Sequence, residues 1–257
     1  MKKVLILGSD GFLGSALLKN LKKKNQFLSV YGTSRRDNKK IFFDLKKKNY
    51  IDFGIYNIVV IACSLTNIDF CEKNKRFAYE INYKFTIQII KQIISSGCNV
   101  LFLSSNSVFD GTKQFYKSND KKKPYTIYGK TKSLVENWII SKKFNSCSIL
   151  RLTKILHKNF KSEYIKKWKK EIKEKKFFSI YSNHHISPIF INKAVDAITK
   201  CIFSNKHGIY QVGGKEEISY YKFARNVCRG NKKLLKKIKI VKKKDRNFFN
   251  SLRTSLP

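Results

Sequence analysis

At 257 residues, with 42% hydrophobic and 28% charged side chains, the chain is long enough for one α/β domain with a smaller lobe and can build a sizeable core. Its 55 lysines and arginines against 17 acids give a formal charge of +38, yet no uncharged apolar run reaches the roughly 18 residues of a membrane-spanning helix. The six cysteines, at 63, 71, 98, 147, 201 and 228, form no CxxC pair and no zinc-ligand spacing, which speaks against a metal site and for buried thiols in a reducing, cytoplasmic setting.

Met1-Lys2-Lys3-Val4-Leu5-Ile6-Leu7-Gly8 carries a basic pair before a very short apolar run, so it reads as a strand at 4–7 and a turn rather than a secretory signal. An amphipathic helix at 12–21 follows, then a second strand at 27–32, a short third at 41–43 and a β-branched fourth at 58–62. One long helix is expected over 71–95, a fifth strand at 100–104, a helix at 127–140 and a sixth strand at 148–152. Strand and helix alternating at this spacing predict a Rossmann-type α/β fold, a doubly wound parallel sheet.

Beyond 152 the order is less regular. A lysine-rich helix is expected at 162–175, a strand at 177–181, a loop at 182–188, a strand at 189–191 and a helix at 192–203 that returns to the main fold. The segment 208–212, Gly213-Gly214 and a helix at 219–228 are assigned to a smaller C-terminal lobe. The expected division is thus an NAD(P)-binding domain over 1–155, with 189–205 returning to it, and a substrate-binding lobe over most of 156–257.

The lysines are spread through nearly every surface segment, including 22–24, 46–48, 121–123 and 142–143, and accompany abundant asparagine, isoleucine and phenylalanine. That spread fits an AT-rich coding bias better than a dedicated polyanion site, so nucleic acid is not an expected partner. The densest run, 232–246, contains Leu234, Leu235, Ile238, Ile240 and Val241, a pattern for a helix followed by a strand.

Gly8-Ser9-Asp10-Gly11-Phe12-Leu13-Gly14 places a GxxGxxG run between the first strand and the first helix. Gly8 permits the tight turn, Gly11 lets a pyrophosphate approach the backbone, and Gly14 lets helix and strand pack closely. The helix N-terminus then offers unpaired N–H groups to phosphate. A glycine-rich turn without a ligand is the bland alternative, and the run's place after a buried strand weighs against it. The second strand leads into Ser34-Arg35-Arg36, with no acid before Asp37. An acid there suits the ribose 2′-hydroxyl of NADH, whereas arginine forks suit a 2′-phosphate, so NADPH is favoured over NADH. Asp44, a candidate for the adenine amino group, stands with Leu45 after the third strand. Ala62-Cys63-Ser64 after the fourth strand completes the candidate cofactor set.

Tyr128-Gly129-Lys130-Thr131-Lys132 places a phenol and an ammonium four residues apart on one helix face. In a lysine-rich chain that spacing alone carries little weight. Its position does more, because it follows the fifth strand and the hydroxyl run Ser104-Ser105-Asn106-Ser107. An ammonium beside a phenol favours the phenolate and predicts a tyrosine pKa below the ordinary value of about 10. Tyr128 can then protonate an alkoxide formed as a hydride arrives, with Ser105 holding the carbonyl oxygen and Lys132 also binding the nicotinamide ribose. Ser105 and Tyr128 are thus candidate substrate contacts. His184 and His185 read as exposed loop histidines, Trp138 and Trp168 as packing residues, and no His, Cys, Asp and Glu cluster suggests a catalytic metal.

With these motifs in place the chain resembles the extended short-chain dehydrogenase/reductase superfamily, and within it the dTDP-4-dehydrorhamnose reductases. Leu103-Ser104-Ser105-Asn106-Ser107-Val108-Phe109-Asp110-Gly111 is similar to that family's strand-end signature. The stretch 124–136 (PYTIYGKTKSLVE) resembles its PxxxYGxTKxxxE segment. Residues 69–82 resemble its helix leading to an asparagine, Arg151-Leu152-Thr153 its turn after the sixth strand, and Ser187-Pro188 with 191–198 its substrate-side strand and helix. The resemblance implies NAD(P)H-dependent reduction of a 4-keto-6-deoxy nucleotide sugar for cell-surface polysaccharide, with Ser105, Tyr128 and Lys132 as catalytic triad. It also allows a homodimer. Ser105 stands where the family often has threonine; Asn106 and Ser107 replace an acid and an aromatic, and the resemblance makes both candidate substrate contacts. Two alternatives remain: a nucleotide-sugar epimerase or dehydratase, and a regulatory subunit that binds NADP(H) without turnover. A dehydratase usually carries an added acid where Asn106 stands, and regulatory subunits often lose the tyrosine or lysine present here.

Overall fold

Along β1 (Lys2–Leu7) the apolar residues divide between two cores, Val4 and Ile6 on one face and Leu5 and Leu7 on the other. Such continuously apolar strands belong in a sheet covered on both faces. The computed structural model describes all residues except 25–27, 48–49, 158–169, 175, 205, 229–230 and 243–247. Seven parallel strands form the main sheet: β11 (Ile209–Val212), β6 (Cys147–Leu152), β5 (Asn99–Ser105), β4 (Ile58–Ile61), β1, β2 (Leu28–Ser34) and β3 (Ile41–Phe42), in that spatial order. The order reverses between β1 and β4, and ligands of open α/β sheets bind at such a switch point, outside the carboxyl ends of the strands.

Helices α1 (Phe12–Lys24) and α6 (Ile191–Phe203) cover one face, burying Leu17, Leu21, Ala194, Val195 and Ile198 against Val4, Ile6, Leu101 and Leu150. The other face carries α2 (Ile68–Lys73), α3 (Lys75–Tyr79), α4 (Thr86–Ser95) and α5 (Ile127–Ser141), with Ile90, Ile93, Val135 and Ile139 packed on Leu5, Val59 and Phe102. Among the described residues no helix is long and apolar enough to cross a membrane.

Three expectations change here, and one cannot be compared. The single helix over 71–95 is interrupted: it starts at Ile68 on an Asn67 cap, breaks at Asn74 (φ −123°, ψ 56°), and widens into a π-helical turn over Glu80–Phe85. There the Thr86 hydroxyl donates to the Ile81 carbonyl five residues back (3.0 Å). The segment around 208–212 is the edge strand of the main sheet, paired parallel with β6, rather than part of the lobe. The loop at 182–188 contains β9 (His185–Ile186). Most of the helix expected at 162–175, Trp168 included, lies outside the described residues, as does Phe27.

The remaining elements build small two-stranded sheets. β7 (Ile155–Leu156) pairs with β10 (Ile189–Phe190), β9 with β12 (Ile218–Ser219), and β8 (Phe178–Tyr181) with β13 (Ile238–Val241). Leu156 and Ile186 pack on Phe223 and Val227 of α7 (Tyr220–Val227), and α8 (Lys232–Lys236) precedes β13, the helix-then-strand order read from the lysine-rich run. Residues 248–257 then run back across the molecule, bridging His184, Tyr116 and Gln211 in turn, with Leu252 buried among Val108, Phe109 and Tyr116.

Candidate active site

The glycine run forms a turn that leaves no room for side chains. Gly8 has φ +86°, and a Cβ there would lie 2.8 Å from the Cys63 Cβ; a Cβ on Gly14 would lie 2.3 Å from the Gly8 carbonyl oxygen. The turn is tied to β2, since the Gly8 N–H donates to Thr33 Oγ1 (3.1 Å) and Ser9 Oγ to the Thr33 carbonyl (2.9 Å). Gly11 opens α1 with only the Gly8 oxygen near its Cβ position (3.3 Å). Such a cradle at a helix N-terminus fits a dinucleotide pyrophosphate; Gly8, Gly11 and Gly14 with Phe12 and Leu13 would hold it. Arg35 and Arg36 are exposed beside it.

An acid does reach the end of β2, a point invisible in the local sequence there. Asp10 comes from the glycine run, accepts from the Ser34 hydroxyl, and pairs with Lys40 Nζ at 2.7 Å. The Lys40 and Ser34 hydrogen bonds hold its carboxyl below the usual range. Ser34 Oγ also accepts from the Arg36 and Asp37 N–H groups (2.9 and 2.8 Å), fixing the backbone of the arginine pair. Asp44 is half-buried and accepts from the Lys46 N–H (3.0 Å), while Leu45 packs on the core. Ala62 and Cys63 line the sheet's end, and burial pushes the Cys63 thiol up to about 11. The asparagine that closes the 69–82 stretch shapes this loop, a contact its position in the sequence does not show. Asn82, buried in the π-helical turn, accepts from Ser64 Oγ (2.9 Å) and the Leu65 N–H (2.8 Å) and donates to the Leu65 carbonyl (2.9 Å).

Ser105 ends β5, and α5 brings Tyr128 and Lys132 to it. Thr126 caps that helix by accepting from the Gly129 N–H (3.0 Å). Gly129 lets helix and strand-end loop meet, for a Cβ there would sit 2.0 Å from the Ser107 carbonyl oxygen. Gly129→Ala is therefore expected to cost about 2 kcal/mol through overpacking against backbone, seen as a Tm lower by several degrees; an unchanged Tm would refute this close approach. Lys132 is 4% exposed, and its Nζ donates to the Leu103 carbonyl (2.9 Å) and lies 4.6 Å from the Phe102 ring centre and 5.9 Å from that of Tyr128.

The expected lowering of the Tyr128 pKa is overturned. Burial pushes the phenol up to about 12, with Ser105 hydrogen bonding acting the other way. Burial likewise brings Lys132 down to about 8, against the pull of Cys63 and Glu136. Desolvation penalises the phenolate and the ammonium alike, and at 5.9 Å from the ring centre the attraction between them does not offset it.

Beneath this pair lies a buried charge network absent from the sequence reading. Glu136, one turn after Lys132, is fully buried and accepts from Ser104 Oγ (2.6 Å), Arg151 Nε (3.0 Å) and Arg151 Nη2 (2.8 Å), with Lys122 Nζ 3.1 Å away. Arg151 also donates to the Ser118 carbonyl (2.9 Å) and to Gln211 Oε1 (3.3 Å), and sits 5.1 Å from the Phe109 ring centre. Its guanidinium clamps the ends of β5, β6 and β11 to α5.

The two candidate substrate residues after Ser105 are partly engaged already. Asn106 Nδ2 donates to Asn250 Oδ1 (2.9 Å), and the Ser107 N–H donates to Ser105 Oγ (3.2 Å). His184 and His185 are half-buried rather than exposed, because residues 248–257 cover them: their rings lie 4.7 and 5.0 Å from those of Phe248 and Phe249. Trp138 packs on Phe144 (5.5 Å), as a core-facing residue should.

A seven-stranded parallel sheet reversing at β1, a glycine cradle behind that strand and a YxxxK helix beside the fifth define an extended short-chain dehydrogenase/reductase, a class of NAD(P)-dependent oxidoreductases. Within it the chain belongs to the RmlD substrate binding domain family, whose model matches residues 1–248. It is 30% identical over 227 residues, 87% of this chain and 77% of the relative, to the spore coat polysaccharide biosynthesis protein SpsK of Bacillus subtilis (strain 168). It is 28% identical over 155 residues to methionine adenosyltransferase 2 subunit beta of Bos taurus, spanning 59% of this chain and 46% of that subunit. In fold it matches dTDP-4-dehydrorhamnose reductase from Bacillus anthracis str. Ames, solved in complex with NADP, with a TM-score of 0.77 at 21% identity, covering 99% of this chain and 90% of that one.

Proposed function

We propose that the protein reduces the keto group of a 4-keto-6-deoxy nucleotide sugar with NADPH, in the cytoplasm, for synthesis of a cell-surface polysaccharide. The observation that carries this reading is the meeting of Ser105, Tyr128 and Lys132 at the carboxyl ends of the strands, beside the glycine cradle. Held by Gly8, Gly11 and Gly14, NADPH would supply the hydride for the reduction. The Ser105 hydroxyl donates to the carbonyl oxygen, and Tyr128, protonated at neutral pH because burial raises its pKa to about 12, gives its proton to that oxygen as charge builds there. Tyr128 regains the proton from solvent. Lys132, cationic below about pH 8, stabilises negative charge at the phenol and holds the nicotinamide ribose. Arg35 and Arg36, exposed just after β2, favour a 2′-phosphate over a 2′-hydroxyl, and Asp10, the acid that reaches that strand's end, is held by Lys40.

The test is NADPH consumption by the purified protein against a panel of 4-keto-6-deoxy nucleotide sugars. Turnover with at least one member, and an NADPH KM raised about tenfold or more in Arg35→Ala/Arg36→Ala while the NADH KM moves by about twofold at most, is the expected result. NADPH binding without turnover on any member would instead favour cofactor binding for regulation or epimerisation.

A further inference from the structure

Besides its hydrogen bonding with Tyr128, Ser105 Oγ makes three long contacts: 3.2 Å to Asn106 Oδ1, 3.2 Å to Ser107 Oγ and 3.2 Å from the Ser107 nitrogen. None of these three is strong alone, so the serine rotamer depends, with Tyr128, on which way the Asn106 amide faces. That orientation is imposed from outside the strand. Asn250 presents two oxygens to Asn106 Nδ2, Oδ1 at 2.9 Å and the main-chain carbonyl at 3.2 Å. A flipped Asn106 amide would face those oxygens with its own oxygen and turn its NH₂ toward Ser105. Asn250 cannot flip in turn, because its Nδ2 donates to the His185 carbonyl at 2.7 Å. Its backbone is fixed too: the Asn250 and Ser251 N–H groups both donate to Glu217 Oε1 (2.6 and 3.0 Å), and Ser251 Oγ donates to Glu217 Oε2 (2.9 Å).

We infer that Asn250 is a positioning residue for the reaction, setting the direction of the Ser105 hydroxyl through the Asn106 amide, with Glu217 and the His185 carbonyl as its anchors. The inference rests on the reduction proposed above. It gives residues 248–257 a role in the chemistry although they touch neither sugar nor cofactor in the proposed scheme. The arrangement also accounts for an asparagine at 106: its amide donates to Asn250 and accepts from Ser105, whereas a carboxylate there could only accept.

Steady-state kinetics of Asn250→Ala, Asn106→Ala and the double variant test it. Asn250→Ala is expected to lower kcat about tenfold, with the KM for sugar and NADPH within about twofold, and the double variant to be no slower than Asn106→Ala alone. Wild-type kcat in Asn250→Ala, multiplicative losses in the double variant, or a KM shift with kcat unchanged would each overturn it. If the wild-type protein turns over no panel sugar, the reduction reading falls first and hydrogen exchange decides the relay. Faster exchange at the Ser107 amide in Asn250→Ala, with residues 101–103 unchanged, supports the relay; no change at Ser107, or a uniform rise, refutes it.

Discussion

Tyr128→Phe is expected to lower NADPH-dependent reduction about 10²–10⁴-fold while leaving NADPH affinity within about twofold. The phenylalanine keeps the ring against Lys132 and removes only the proton donor, so the loss should fall on kcat. Because burial places the phenol at about 12, the donor form is populated throughout the neutral range, and the pH profile of the wild-type protein should carry no limb from Tyr128 near pH 7. Lys132, at about 8, supplies one instead: kcat is expected to fall as pH rises through about 8 and the ammonium loses its proton. A Tyr128→Phe variant retaining more than about a tenth of wild-type kcat would remove the phenol from the chemistry.

Glu136→Ala is expected to be the most destabilising single change, costing about 3–5 kcal/mol. It leaves Arg151, 1% exposed, facing Lys122 with no carboxylate between them, and strands the Ser104 hydroxyl. For a chain this long, urea or thermal unfolding should register a Tm drop on the order of 10 °C. Burial tends to raise the Glu136 pKa, but Arg151 and Lys122 bring it below 4.5. A carboxylate with a depressed pKa stabilises the fold above its unfolded value and loses that contribution as pH falls through the folded value. Wild-type protein should therefore lose stability below about pH 4.5 more steeply than Glu136→Gln. A Glu136→Ala variant as stable as wild type would show that Arg151 is satisfied by Ser118 and Gln211 alone.

The parts of the site legible in the sequence are those fixed by neighbours along the chain. Gly8 and Gly14 serve a turn of a few residues, and Tyr128 and Lys132 share a face through helical spacing alone. What stayed hidden depends on residues far apart in sequence meeting in space. Asp10 reaches Ser34 across 24 residues, Asn82 reaches Leu65 across 17, and Asn250 reaches Asn106 across 144, none leaving a periodic trace. The Tyr128 pKa was misjudged for a related reason, since spacing reports the neighbouring charge but not the depth of burial. The apolar run that became β11 announces a strand without naming its partner, and Asn74 interrupts a helix whose apolar period continues past the break.

The position of β11 also sets an order on how the molecule can come together during its own synthesis. The edge of β6 it covers is complete by Leu152, while β11 begins at Ile209 and the residues that lock Asn106 emerge later still, near 250. At typical rates of about 5–20 residues per second, the nascent sheet spends several seconds with an apolar strand unpaired at its border. The glycine turn at 8–14 is therefore synthesised early, and the segment that reaches Asn106 comes last.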